Sequence, residues 1–274
     1  MKVSIQGVTG SFHEEAAKQY FKGEDIEIVP CSSFDLTLSA VADGTADYAV
    51  LAIENARSGS ILQNYTLIRE SGMKILGEQN LRIIQNLVAL SGQTTDAIHT
   101  VCSHPIALAQ CMDYLKEHPE WTLIESEDTA LSAKEISEKN LYGTAAIASA
   151  AAAEVYGLEV IASGIETYKQ NYTKFLITGH QGLNSGNKMS VCFSTKHKSG
   201  ALAKVLVKLA DRNINLSKIQ SVPKFNGEWE YMFYCDLETP KDTTSEIICR
   251  ILRDNTNDLE ILGIYKKGDM QYDS

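Results

Sequence analysis

Apolar and polar positions along the first 180 residues switch repeatedly between a period of two and a period near 3.6. Val3-Ser4-Ile5-Gln6 reads as a strand, and a turn over 7–10 follows it. A helix then opens at Ser11-Phe12-His13-Glu14, where Ser11 and Glu14 form a capping-box signature. The spacing predicts a strand over 25–29, a helix capped by Ser33 through Val41, and a buried strand over 48–53 ending at Glu54-Asn55. Gly59-Ser60 leads into another helix, and 75–90 reads as strand pairs. Thr100-Val101-Cys102 is a strand before Ser103-His104-Pro105, with Pro105 at a helix start. The segments 129–139, 145–156 and 158–162 continue the alternation, so this part is α/β with mostly parallel strands.

Residues 182–187 have linker composition. Beyond them the order changes to a strand over 188–195, a helix over 200–212 and a strand over 216–223. Asn226-Gly227 supplies a hairpin turn, and a strand over 230–237, a helix over 244–253 and a strand over 259–265 complete the order. In the first helix Leu202, Val205, Leu206 and Leu209 share a face. This βαββαβ order is ferredoxin-like. The chain divides accordingly into 1–182 and 188–274.

Composition narrows the function classes. Of 274 residues, 25 are Lys or Arg and 35 are Asp or Glu, a net charge of −10. Nucleic-acid and polybasic membrane-surface binding both need clustered cations, so neither partner is expected. No apolar run reaches the ~20 residues of a membrane span, and the N-terminus runs straight into a strand. The six cysteines, at 31, 102, 111, 192, 235 and 249, form no C-x-x-C pair, no zinc spacing and no disulfide framework. A reducing, cytoplasmic setting is expected, with no metal.

In open α/β sheets ligands bind where strands end and helices begin, and the free amides there favour anions. Four loops place small hydroxyl or amide groups at such points: 7–11, 54–60, Ser103-His104 and Asp128-Thr129. A fifth segment, Asn171-Tyr172-Thr173-Lys174-Phe175, enters a strand. Taken singly, each loop is more often a helix cap than a site.

These residues also carry a family resemblance. Gly7-Val8-Thr9-Gly10-Ser11-Phe12, Ile53-Glu54-Asn55 with Gly59-Ser60, Val101-Cys102-Ser103-His104-Pro105 with Ala107-Leu108-Ala109-Gln110-Cys111, Asp128-Thr129-Ala130, 145–149 with Tyr156-Gly157-Leu158, and Asn171-Tyr172-Thr173-Lys174-Phe175 stand in the order found in prephenate dehydratases. Gly200-Ala201-Leu202, Asn215-Leu216-Ser217-Lys218-Ile219, Pro223 and Trp229-Glu230-Tyr231-Met232-Phe233 resemble the ACT regulatory domain that follows in that family. The resemblance implies two α/β lobes like a periplasmic solute-binding protein, a cleft between them, and an appended ferredoxin-like ACT module. It implies conversion of prephenate to phenylpyruvate with loss of water and carbon dioxide in phenylalanine biosynthesis, without a cofactor. It also implies phenylalanine as effector and a homodimer or homotetramer.

By that resemblance Thr173 is the catalytic position, and helping the hydroxyl leave means donating a hydrogen bond to it. The alternative is an ordinary strand threonine. Ser11, Asn55, Gly59, Ser60, Ser103, Thr129, Ser149 and Asn171 supply neutral groups for the substrate, and Lys174 is the nearest cation. His104 fits either a general acid or a cap, Phe175 either the site or the core, and Glu54 either orients Asn55 or faces a backbone donor. Gly200, Ala201, Leu202, Gln220, Ser221 and Pro223 correspond to the effector site. Lys174 stands in place of the usual Arg, which loses the planar fork. Ala56, Asn64 and Thr66 replace a usual Ser, Thr and acid. Gln220-Ser221-Val222-Pro223 replaces Glu-Ser-Arg-Pro, which weakens the case for feedback inhibition. Arogenate, bearing an amine in place of the keto oxygen, is an alternative substrate, and a non-catalytic amino-acid sensor is a third reading. Before Asn187 there are 12 basic and 23 acidic residues, and after it 13 and 12. The acid excess therefore lies wholly on the part assigned to a dianion, so capture must rest on local donors.

Overall fold

The computed structural model describes residues 1–183, 185–225, 229–240 and 243–269. The expected hairpin turn at Asn226-Gly227 lies outside them. The chain forms two compact units, one of residues 1–61 and 79–175 and one of 62–78 and 176–269.

The elements run β1 (Lys2–Gln6), α1 (Phe12–Tyr20), β2 (Glu27–Cys31), α2 (Phe34–Ala42), β3 (Tyr48–Asn55), β4 (Gly59–Ser60), α3 (Leu62–Ser71) and β5 (Lys74–Arg82). Next come β6 (Asn86–Leu90), β7 (Thr100–Ser103), α4 (Pro105–Gln110), α5 (Met112–Lys116), β8 (Thr122–Glu125), α6 (Thr129–Lys139), β9 (Thr144–Ala148), α7 (Ala150–Tyr156) and β10 (Leu158–Ala162). The first sheet has the order β2-β1-β3-β11-β5, with β11 (Tyr172–Gly179) supplied by the chain's return, and the second is β10-β6-β9-β7-β8.

Both sheets are mixed, which corrects the expectation of mostly parallel strands. β1 is parallel to β2 and β3, and β7 to β8 and β9, but β6 runs antiparallel to β9 and β10, and β4 to β3. An apolar run reports burial on both faces and carries no information on direction. The expected pairing within 75–90 is also corrected. β5 and β6 belong to different sheets, and the break at 83–85 separates them.

Period-two alternation explains how the second sheet is covered on both sides. Leu87, Ala89, Val101, Ala145 and Ile147 pack with α4, α5 and Trp121, while Val88, Ala146 and Ala148 pack with Ala130, Ala133 and Ile136 of α6 and Ala152 and Ala153 of α7. The capping box at α1 forms with a shift of one residue. Ser11 Oγ accepts from the Glu14 amide, and Glu14 reaches back to the Gly10 amide at 2.6 Å instead of that of Ser11. Ser33 precedes α2 without a side-chain cap bond. Gly10 has φ +87°, and a Cβ there would sit 2.7 Å from Ala152 Cα, so both conformation and close approach require glycine. Ser149 Oγ donates to the Gly10 carbonyl at 2.6 Å and Tyr156 Oη to that of Thr9 at 2.8 Å, which docks the first loop on α7.

In the second unit, β12 (Lys188–Ser194), α8 (Ala201–Ala210), β13 (Asn215–Phe225), β14 (Trp229–Glu238), α9 (Ser245–Asn255) and β15 (Asn257–Tyr265) follow the expected βαββαβ order. The sheet order is β13-β14-β12-β15, with antiparallel pairing. Val205 and Leu209 of α8 and Ile248, Cys249 and Leu252 of α9 pack on Met189, Val191, Phe193, Cys235 and Leu237. Residues 62–78 belong to the same unit. Tyr65 lies 5.5 Å from Tyr234 ring to ring, and a Cβ on Gly263 of β15 would strike the Ile75 carbonyl. Lys188 is fully buried between Glu78 at 2.5 Å and Asp236 at 3.2 Å. Among the described residues no helix is long and apolar enough to cross a membrane.

Candidate active site

β3 and β11 bring Asn55, Asn171 and Thr173 together, and backbone geometry fixes how the amides face. The Arg57 and Ser58 amides both donate to Asn55 Oδ1, at 2.8 and 2.9 Å. A backbone N–H cannot accept, so the Asn55 oxygen must face the loop and its Nδ2 must face β11. That Nδ2 donates to Asn171 Oδ1 and to Thr173 Oγ1, both at 2.9 Å. Asn171 Nδ2 in turn donates to Gln110 Oε1 at 2.9 Å. Gln110 Oε1 also accepts from Gln85 Nε2 at 3.2 Å, and Gln110 Nε2 reaches Ser58 Oγ at 3.4 Å.

The consequence for Thr173 is specific. Its oxygen accepts from Asn55, so its hydroxyl proton points elsewhere. Among the described residues no acceptor takes that proton. A buried hydroxyl with its lone pair occupied and its proton available is a preorganised donor for an oxygen that gains negative charge.

Strand alternation divides the remaining expected residues. Thr173 and Phe175 lie on one face of β11, with Lys174 on the other, and Asn171 stands just before the strand. Lys174 Nζ sits 3.5 Å from Glu54 Oε2, and Ser60 Oγ donates to Glu54 Oε1 at 3.3 Å. Lys174, Glu54 and Ser60 thus form a separate polar set on the opposite face from Thr173. Gly59 pairs with Asn55 in the β3–β4 bridge.

Other expected residues are used by the fold. Ser11 and Ser149 cap α1 and α7. The Ser103 hydroxyl is committed to the Ile147 carbonyl at 2.6 Å. Asp128 caps α6, with Oδ1 accepting from the Leu131 amide at 2.9 Å, and Thr129 is the first residue of that helix. Burial raises the Asp128 pKa, partly offset by the Leu131 and Ala130 amides and nearby His104. His104 is the N-cap of α4, its Nδ1 accepting from the Ile106 amide at 3.2 Å. Phe175 is buried against His13, ring centroids 5.0 Å apart and edge-on.

His13 carries no mark in the sequence beyond its place in the first turn of α1. Its Nε2 accepts from the Ala52 amide at 3.3 Å, which puts the proton on Nδ1. Burial pushes its pKa down to about 4. A base depressed in the folded state contributes stability that is fully present above its unfolded pKa, near 6.5, and is lost as pH falls toward about 4. Thermal melts are therefore expected to show about 1–2 kcal/mol lost between pH 7 and 5, a loss that His13→Gln removes. An identical pH dependence in the variant would contradict this.

Gln110 stands inside one of the family-like stretches without a role legible there, and Gln85, Arg57 and Ser58 carry no sequence signal of their place beside it. Only an amide at a helix end marked Gln110. Among the described residues no group of three or more His, Cys, Asp or Glu is placed to hold a metal.

Comparison with known proteins gives the family. The family pattern "Prephenate dehydratase" matches residues 3–182. "Arogenate dehydratase/prephenate dehydratase 2, chloroplastic" of Arabidopsis thaliana is 36% identical over 281 residues, spanning 97% of this chain and 72% of that protein. The crystal structure of a prephenate dehydratase from Arthrobacter aurescens in complex with L-Phe is 28% identical with a TM-score of 0.86, covering 97% of this chain and 90% of that one. A structure described as GqqA, a novel type of quorum quenching acylase, is 29% identical with a TM-score of 0.86, covering 97% of each chain. The matched span takes in every member of the Asn55–Asn171–Gln110–Thr173 chain, and with relatives aligned over almost the whole length, the protein belongs to the prephenate dehydratase family.

Proposed function

We propose that the protein converts prephenate to phenylpyruvate with loss of water and carbon dioxide. The observation that carries this reading is the Thr173 hydroxyl, held by Asn55 at 2.9 Å with its proton available. In the reaction the bond from the ring to its carboxylate breaks and leaves an electron pair. That pair makes the ring aromatic and expels the hydroxyl at the opposite carbon. The oxygen leaves as hydroxide and gains a proton to become water. Thr173 donates a hydrogen bond to that oxygen as charge develops. It is far too weak an acid to be the lone proton source, so its contribution is electrostatic, and one proton taken up from the buffered solution turns the departing hydroxide into water. The test is phenylpyruvate absorbance from purified protein and prephenate.

A second reading has support from a 36%-identical relative whose name couples arogenate with prephenate. Arogenate has the same leaving hydroxyl and ring carboxylate, so the Thr173 geometry serves it equally. The two specificity constants decide between them.

Phenylalanine is the proposed effector. Gly200, Ala201 and Leu202 line a cavity of about 460 Å³ with Lys196, Tyr231 and Phe233. Gln220, Ser221 and Pro223 lie on β13 and do not line it. The proposed homodimer or homotetramer brings the two stretches together across paired modules. Calorimetry on the full chain is expected to give saturable heat with phenylalanine. No heat up to millimolar concentrations would contradict the assignment.

A further inference from the structure

The proposed substrate is a dianion, yet the cation expected to hold it does not stand beside Thr173. Lys174 faces the other side of β11 and is paired with Glu54 at 3.5 Å. A cavity of about 520 Å³ opens next to the amide chain, lined among others by Arg57, Ser58, Gln110, Lys116, Tyr168 and Asn171. Two cations there or close behind are already compensated. Lys116 lies 3.5 Å from Asp113, and Lys169 lies 4.0 Å from Glu166. Arg57 differs, because among the described residues it has no carboxylate partner. Its guanidinium carbon lies 4.2 Å from the centroid of the Tyr168 ring.

Stacking on an aromatic face orients a guanidinium without using its in-plane donors, so the fork that matches a carboxylate stays free. The Arg57 amide donates to Asn55 Oδ1 at 2.8 Å, which ties the start of this side chain to the amide that holds Thr173.

We infer that Arg57, braced by Tyr168, anchors the side-chain carboxylate of the substrate, the one retained in the product. This inference rests on the dehydratase reading above and adds a specificity-determining residue to it. The choice between the two carboxylates follows from differential binding. The ring carboxylate loses its charge as it departs, so a cation bound to it would stabilise the ground state more than the transition state and slow the reaction. The side-chain carboxylate keeps its charge throughout. A cation there improves binding of substrate, transition state and product alike.

The experiment is steady-state kinetics on full-length wild type, Arg57→Gln, Arg57→Lys and Tyr168→Leu, with phenylpyruvate as product inhibitor. Losing a charge-assisted bond to a carboxylate is expected to raise KM for prephenate about 10–100-fold in Arg57→Gln, with kcat within about threefold of wild type. Inhibition by phenylpyruvate weakens by the same factor, a readout that a structural role would not move. Arg57→Lys falls between, and Tyr168→Leu raises KM severalfold. Arg57 is exposed, and matching melting temperatures confirm folding. A KM within twofold of wild type in Arg57→Gln, or a fall in kcat at unchanged KM, overturns the inference while wild-type turnover leaves the dehydratase reading intact. Wild type that converts neither prephenate nor arogenate overturns both.

Discussion

Replacing Thr173 by valine is expected to lower kcat by about 10²–10³-fold and leave KM within about threefold. Valine keeps the branched shape of threonine and removes the hydroxyl, so the β11 surface is retained while the donor is lost. The size follows from the loss of one preorganised hydrogen bond to a developing oxyanion. The Asn55–Thr173 bond of 2.9 Å adds a second arm. Asn55→Asp replaces the donor with an acceptor at the same place, so the Thr173 proton turns toward that carboxylate and away from substrate. Its effect should resemble that of Thr173→Val, and the double variant should be little worse than either alone, because both remove one donated bond. A Thr173→Val rate within threefold of wild type would show that Thr173 is an ordinary strand residue.

The second large effect concerns stability. Lys188, Glu78 and Asp236 are each at most 3% exposed. Ser190 Oγ donates to Asp236 Oδ1 at 2.6 Å, so the contact of Tyr265 Oη with Ser190, at 2.7 Å, has the tyrosine as donor. Burial presses on the Lys188 ammonium, but the Asp236 and Glu78 carboxylates outweigh it and hold its pKa above the ordinary lysine range. Lys188→Ala leaves two buried carboxylates with their counter-charge gone. The expected cost is about 3–5 kcal/mol, seen as a fall in Tm of about 10 °C. Replacing all three charged residues together by apolar or neutral residues of similar volume should recover most of that loss, because burying the set is itself costly. A Lys188→Ala protein that melts within 2 °C of wild type would contradict the account of this cluster.

Much of the fold was legible because it rests on local rules. The capping signature at Ser11, the proline before α4 and the βαββαβ order after 188 all depend on residues near one another in the chain. Strand direction and sheet membership were not legible. β6 and β9 are equally apolar whichever way they run, and only the path of the connections sets the direction. The burial of Lys188 was hidden for the same reason. Its partners lie 110 and 48 positions away, and nothing near it in the chain announces them.

The candidate site was legible in its members and less so in their grouping. Asn55, Asn171 and Thr173 stand out in the sequence, and the structure joins them by hydrogen bonds. The placement of Lys174 away from Thr173 was readable in principle, because neighbours in a strand face opposite sides. Motif order favoured treating them as one unit. Ser103 and Ser149 illustrate the reverse difficulty. A hydroxyl at a strand end reads the same whether it awaits a ligand or donates to a carbonyl, and here the carbonyls of Ile147 and Gly10 take them. Gln110 joins the chain only through the fold, as it reaches Asn171 from a helix on the other sheet.

The most direct test is a turnover assay of purified wild type with prephenate, following phenylpyruvate and carbon dioxide together, beside Thr173→Val at saturating substrate. The account predicts equal amounts of the two products from wild type without added metal or organic cofactor, and a loss of about 10²–10³-fold in the variant. Wild type that binds prephenate and releases neither product would contradict it.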